Sequence, residues 1–108
     1  MVARKLTHVE RLFIRSGQSA RATRLYRRRT LSLVASMIAS PTLKRREYLQ
    51  VKLRLLEIYR TVSSRGHDLE WLEHAYLALE ELAGLIREES APEVLLGLLH
   101  EIKGELEG

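Results

Sequence analysis

Residues 48–62 read YLQVKLRLLEIYRTV, and this stretch decides the fold class. Its apolar side chains recur every three or four residues, which is the spacing of one face of an α-helix. The stretch therefore predicts an amphipathic helix, which ends at Gly66. The predicted buried stripe of this helix consists of Tyr48, Val51, Leu55, Ile58, Tyr59 and Val62.

The start of the same helix is predicted at the Ser40–Pro41 pair. Serine is a preferred N-cap residue and proline is preferred at the first helical position. That start would place Lys44, Arg45 and Arg46 in the opening turns, where cations oppose the helix dipole. Stability alone would favour acids there, whereas cations beside free backbone N–H groups form an anion site.

Signals of the same kind predict two helices before this one. Thr7 and Glu10 form a capping-box pattern, which predicts a short helix over residues 8–15 that stops before Gly17. Ser19 is the predicted cap of the next helix, which must end by Ser40 because proline follows.

Two more helices are predicted after it. Asp68 caps the first, and Ser90 with Glu93 forms a capping-box pattern that opens the second. Trp71 is predicted to lie in the core. Four glutamates are predicted to line the outer face of the first of these helices: Glu70, Glu73, Glu80 and Glu81. The predicted buried positions of both helices are Leu72, Ala75, Leu79, Leu82, Ile86, Leu95, Leu98, Leu99, Ile102 and Leu106.

The predicted fold class is all-α: an up-and-down bundle of four to five helices, formed by the 108 residues as one domain. No apolar run approaches the ~18 residues that cross a bilayer, so we expect no membrane partner. Cysteine is absent, which excludes disulfides and thiol chemistry and fits a cytoplasmic, intracellular protein. The residues predict no metal site and no cofactor.

Charge divides sharply along the chain. Residues 1–54 hold 14 of the 18 Lys and Arg residues and only 2 of the 14 acids, a formal net charge of +12. Residues 55–108 carry a formal net charge of −8. The two halves could neutralise each other across the bundle, although exposed ion pairs contribute little to stability. An extended basic surface more commonly meets phosphate, for which arginine has a matching forked geometry.

The ordered placement of the arginines favours a phosphate ligand. Arg21, Arg24 and Arg28 share one helical face, which continues into small residues at Ser32, Ala35, Ser36 and Ala39 and would allow close approach of another backbone. Arg46, Gln50 and Arg54 extend the basic surface at four-residue spacing. The residues predicted to contact phosphate are Arg21, Arg24, Arg27, Arg28, Arg29, Lys44, Arg45, Arg46, Lys52 and Arg54.

The predicted function is non-enzymatic binding of nucleic acid, DNA or RNA, through its phosphate backbone. No zinc finger, RNA-recognition aromatic pair or basic zipper supports reading of base sequence. A ribosome-associated or genome-coating nucleoprotein assembly would have this charge split. The alternative is an adaptor, in which the same charges dock an acidic or a basic protein.

The central helix carries a second apolar face, formed by Leu49, Leu53 and Leu56. A bundle helix needs only one buried stripe. Either this helix touches neighbours on both sides, or the three leucines form a surface for self-association or for a protein partner.

Two constellations invite comparison with known families. His100, Lys103 and Gly104 fit the pattern His-x-x-Lys-Gly, which resembles the phosphorylated segment of histidine phosphotransfer domains, also four-helix bundles. That family carries its histidine in a central helix, so we expect an exposed surface histidine here and keep phosphotransfer as a remote alternative.

The second constellation is a set of charged residues on the helices. Arg11, Arg28, Arg46 and Glu47 loosely resemble the arginine clamp of helical chorismate mutases. The lysine that follows the first helix of that family has no counterpart here, so we expect no such activity.

Overall fold

The computed structural model describes residues 19–64 and 68–107, and over these ranges the chain is an all-α bundle without strands. Its α-helices are α1 (Ser19–Ile38), α2 (Leu49–Ser63), α3 (Leu69–Arg87) and α4 (Pro92–Glu107). The predicted fold class is therefore confirmed. The predicted helix over 8–15 and both helix stops at Gly17 and Gly66 lie outside the described residues.

The helices pack as a square. α1 lies against α2 and α3, and α4 lies against the same two helices. The pairs α1–α4 and α2–α3 are therefore the diagonals of the bundle. The core between the helices is aliphatic and includes Val34, Val51, Leu55, Val62, Leu72, Leu79, Leu82, Leu95 and Leu99.

The connection between α1 and α2 differs from the prediction. Residues Thr42–Lys44 and Arg46–Tyr48 form two 3₁₀ helices, and the α-helix begins only at Leu49. Between them Arg45 is extended, with ψ of 146°. A continuous helix would place positions 43 and 48 about 140° apart around its axis, whereas the break at Arg45 lets Leu43 and Tyr48 both reach the core.

The predicted stripe of α2 is buried, with one exception. Val51, Leu55, Ile58 and Val62 are at most 3% exposed. Tyr59, placed in the same stripe by its spacing, is 36% exposed and lies at the edge of the buried arc. The second apolar face is not buried: α2 packs against α1 and α4, but within the described residues neither neighbour covers Leu49, Leu53 and Leu56.

The predicted buried positions of α3 and α4 are confirmed, with Leu98 and Leu106 half-buried. The predicted cap of α3 is also confirmed, because Asp68 Oδ1 accepts a hydrogen bond from the Trp71 backbone N–H at 2.8 Å. Trp71 is half-buried rather than in the core, and its Nε1–H donates to the Leu106 carbonyl at 3.1 Å. α4 begins at Pro92, one residue later than a Ser90 cap predicts.

Glu73 corrects one prediction. It was expected on the outer face of α3, yet it is only 1% exposed. One turn further along α3, Tyr76 contacts Tyr26 of α1 edge-to-face, with ring centroids 6.3 Å apart. Residues three apart share a helix face, so Glu73 lies on the flank of α3 that α1 covers.

Candidate nucleic-acid interface

The outer face of α1 carries the predicted arginines. Arg21, Arg24 and Arg28 are all exposed, and the exposed surface continues through Ser32, Ala35, Ser36 and Ala39. This helix contains no acidic residue. Within the described part of the chain, none of the three arginines forms an ion pair. We call these three residues the arginine face.

The two other arginines of this helix, Arg27 and Arg29, lie outside the arginine face, on opposite flanks of α1. Arg27 and Arg29 are two residues apart, which separates them by about 200° around the helix. Arg29 is exposed and lies near Tyr76 of α3, where its charge opposes the burial and the Glu80 contact that together raise the pKa of that tyrosine. Arg27 is half-buried on the other flank, and its Nε is buried without a hydrogen-bond partner among the described residues.

The cations at the α1–α2 connection lie at the other end of the bundle. α1 runs about 25 Å from Arg21 to its C-terminal end at Ile38, since each helical residue rises by 1.5 Å. Lys44, Arg45 and Arg46 follow that end, where the acidic α3–α4 connection also lies. They precede the first turn of α2, so the prediction that they lie in its opening turns is wrong.

Arg45 is engaged within the molecule. Its Nη1 lies 3.3 Å from Glu89 Oε1. Its guanidinium carbon lies 5.0 Å from the centroid of the Tyr48 ring, and its Nη2 donates to the Tyr48 hydroxyl at 3.2 Å. The hydrogen bond to Tyr48, followed by the charge of Glu89, raises the pKa of Arg45. At this position the two halves of the chain do neutralise each other.

The remaining predicted residues lie on opposite flanks of α2. Arg54 Nη1 lies 3.3 Å from Glu57 Oε2 and faces α4, whereas Lys52 is half-buried two residues earlier, on the flank toward α1. Of the predicted series Arg46, Gln50 and Arg54, the last two line the same groove against α4, whereas Arg46 lies in the 3₁₀ helix that precedes α2. The ten predicted residues are spread over α1, the α1–α2 connection and two flanks of α2. Three of them share the arginine face, where none has a carboxylate partner among the described residues.

His100 lies in a groove of about 500 Å³ between α2 and α4. Lys103, Gly104 and Arg54 share this groove, and Ile58 and Leu99 form part of its floor. His100 is exposed, as predicted. The lysine of the His-x-x-Lys-Gly pattern forms an ion pair within the bundle, because Lys103 Nζ lies 3.2 Å from Glu57 Oε1.

Residues 19–64 and 68–107 contain neither a metal-binding cluster nor a membrane-spanning helix. Over these ranges, no three His, Cys, Asp or Glu side chains come together in a group that could hold a metal ion. No helix there is both long and apolar enough to cross a membrane.

Comparison with known proteins identifies no relative: no family model, curated protein or solved structure matches this chain.

Proposed function

We propose that this chain is a non-enzymatic, intracellular protein that binds nucleic acid by contacting backbone phosphates with the arginine face of α1. The observation that carries the proposal is three exposed arginines on one face of a helix that has no acidic residue. Arginine keeps its charge at all physiological pH values and can donate two parallel hydrogen bonds to one phosphate.

The dimensions of the arginine face suit a phosphate backbone. Arg21 and Arg28 are seven residues apart, or about 10 Å along the axis of α1. One strand of a duplex carries a phosphate about every 3.4 Å along its axis, so the three arginines span about three phosphate-to-phosphate steps. The small side chains from Ser32 to Ala39 would let the duplex approach the remainder of the helix closely.

Residues 1–18 add to this basic character by sequence. They contain Arg4, Lys5, Arg11 and Arg15 against a single acid, Glu10. With such a segment preceding α1, we expect about six phosphate contacts in all. Phosphate contacts position a protein without reading bases, so we expect little sequence preference and a role in a nucleoprotein assembly.

Salt titration tests the proposal. Affinity for a fluorescent duplex DNA and a structured RNA should fall with salt at a log–log slope of about −5, because each phosphate contact adds about 0.9. Changing Arg21, Arg24 and Arg28 to glutamine should reduce the magnitude of the slope by about 2.7. Glutamine at both Lys44 and Arg46, which are also exposed, is the control and should change the slope by much less than the roughly 1.8 that two lost phosphate contacts would give.

The competing function is the adaptor, which would use the same arginines against an acidic protein surface. The purified protein would then carry no absorbance from bound nucleic acid. It would also fail to bind either probe at low salt, and that result would replace our proposal with the adaptor.

A further inference from the structure

The outer face of α2 is apolar, and the bundle leaves it uncovered among the described residues. Leu49, Leu53 and Leu56 are 52%, 42% and 38% exposed. Their spacing of four and three residues places them on one face, opposite the buried stripe through Val51 and Leu55. Scattered exposed leucines are ordinary, but three adjacent ones on one helix form a continuous patch. We call these residues the leucine face.

The outer face of α3 has the complementary character. His74, Leu77, Glu81 and Glu88 share it by helical spacing. The two glutamates and the histidine are exposed, and Leu77 is half-buried between them. We call these four residues the acidic face. The leucine face, in contrast, is bordered by unpaired cations among the described residues, with exposed Arg60 one turn beyond Leu56 and Lys52 on one flank. The carboxylate on its other flank, Glu57, is already paired with Arg54 and Lys103.

The geometry of the bundle makes the two faces point away from each other, because α2 and α3 are diagonal. We infer that the leucine face of one copy docks on the acidic face of a second copy. Leucines would then meet Leu77, and the cations around them would meet Glu81 and Glu88. Such a contact joins two different surfaces and therefore propagates head to tail.

Charge argues against the symmetric alternative. In a two-fold pairing of leucine faces, the cations Lys52 and Arg60 that border one face would be brought close to those that border the other. Like charges brought together at an interface disfavour that partner, whereas opposite charges favour it. A single pair of helices buries less than the roughly 800 Å² per partner of a standard interface, so association should be weak and depend on concentration.

The test uses the full chain, freed of nucleic acid by nuclease and high salt, in analytical ultracentrifugation from about 10 μM to about 1 mM. The average mass of the wild type should rise with concentration and pass the mass of a dimer. Leu53→Gln with Leu56→Gln removes the leucine face, and Glu81→Arg with Glu88→Arg reverses the acidic face. Each double variant alone should stay monomeric.

Mixing the two double variants gives the decisive result. Each retains the face that the other has lost, so an equimolar mixture should form a dimer and stop there. Val94→Gln on α4 removes an equally exposed apolar side chain, 53% exposed and outside both faces, and should leave association unchanged. All of the substituted positions are exposed, so each variant should fold, and circular dichroism will check this. Leu49→Gln provides a second leucine-face variant.

Two outcomes would overturn the inference. One is a wild type that stays monomeric across the whole range. The other is a glutamate-reversed variant that still dimerises while the glutamine variant does not, since that pattern requires pairing between two leucine faces. Neither outcome bears on nucleic-acid binding, because the arginine face takes no part in the contact.

Discussion

The hydroxyl of Tyr48 donates a hydrogen bond to the backbone carbonyl of Ser90 at 2.9 Å and ties the α1–α2 connection to the α3–α4 connection. The carbonyl of Glu89 lies 3.4 Å from the same hydroxyl. Tyr48 is 3% exposed, and the guanidinium of Arg45 covers its ring. This end of the bundle is thus fixed by one buried tyrosine and by contacts between residues about 40 positions apart in sequence.

Removing that hydroxyl should destabilise the domain. We expect Tyr48→Phe to lower the free energy of unfolding by about 1 kcal/mol, because the partly buried bond to the Ser90 carbonyl is lost. Urea denaturation measures the change. Tyr59→Phe, at a tyrosine that is 36% exposed, is the control and should have little effect. Equal losses at both positions would contradict the structural role given to Tyr48.

The α3–α4 connection contains a second test, at Glu89. Its φ is +56°, and it is the one described residue other than glycine with a positive φ. The Ser90 N–H bonds back to the Leu85 carbonyl, which is a helix ending that favours glycine at the left-handed position.

Comparing glycine with alanine at position 89 isolates this backbone effect, because both substitutions remove the ion pair to Arg45. We expect Glu89→Gly to be more stable than Glu89→Ala by about 1 kcal/mol. Alanine normally stabilises a helix more than glycine does, so a more stable glycine variant would show that residue 89 adopts a positive φ. Thermal unfolding of the two variants gives the comparison, and a more stable alanine variant would show that position 89 does not need the left-handed conformation.

Glu57 links stability to pH. The hydrogen bond and charge of Lys103, followed by the charge of Arg54, lower the pKa of its carboxyl group. A carboxyl with a lower pKa in the folded state stabilises the fold above its unfolded pKa. That contribution disappears as the pH falls through the folded value.

The melting temperature of the wild type should therefore fall more steeply between about pH 6 and about pH 3 than that of Glu57→Gln. The effect should be small, since the residues involved are about 40% exposed. Glu101→Gln removes an exposed carboxylate of α4 that forms no ion pair within residues 19–64 and 68–107, and it should retain the wild-type slope. Identical slopes for wild type and Glu57→Gln would mean that this bridge between α2 and α4 does not form in solution.

Periodicity predicted the helices well where burial alone decides the structure. The stripes of α3 and α4 follow from apolar spacing, and the Asp68 cap follows from a local side-chain preference. The start of α2 could not be predicted in this way. The Ser40–Pro41 signal is local, whereas the break at Arg45 arises because Leu43 and Tyr48 both pack into a core built by distant helices.

In the candidate site, too, the features set by local helical spacing were predictable and those set by distant partners were not. The arginine face was predictable because Arg21, Arg24 and Arg28 lie on one uninterrupted helix and only helical spacing was needed. The position of Arg45 was not, because its partner Glu89 lies 44 residues away and nothing in the sequence pairs them. A count of charges in each half cannot tell an exposed cation from one that is already neutralised by the fold.

Charge reversal at the two ends of the bundle separates cations that bind phosphate from cations that stabilise the fold. Arg24→Glu with Arg28→Glu alters two exposed side chains that form no ion pair with a described residue, so the melting temperature should change little. Nucleic-acid affinity should fall by a factor of about 10 to 100 at 0.1 M salt, since two phosphate contacts are lost. The factor should be similar on unrelated sequences, because phosphate contacts do not read bases.

Lys44→Glu with Arg45→Glu should behave in the opposite way. It places a carboxylate at position 45 opposite Glu89 and removes the cation from the Tyr48 ring, so the melting temperature should fall. The dipole of α2 offers no compensation, because the helix begins at Leu49, after both positions. Affinity should fall less than in the first pair. If the first pair instead lowers the melting temperature and leaves affinity unchanged, the arginine face serves the fold, and the adaptor becomes the better account of this protein.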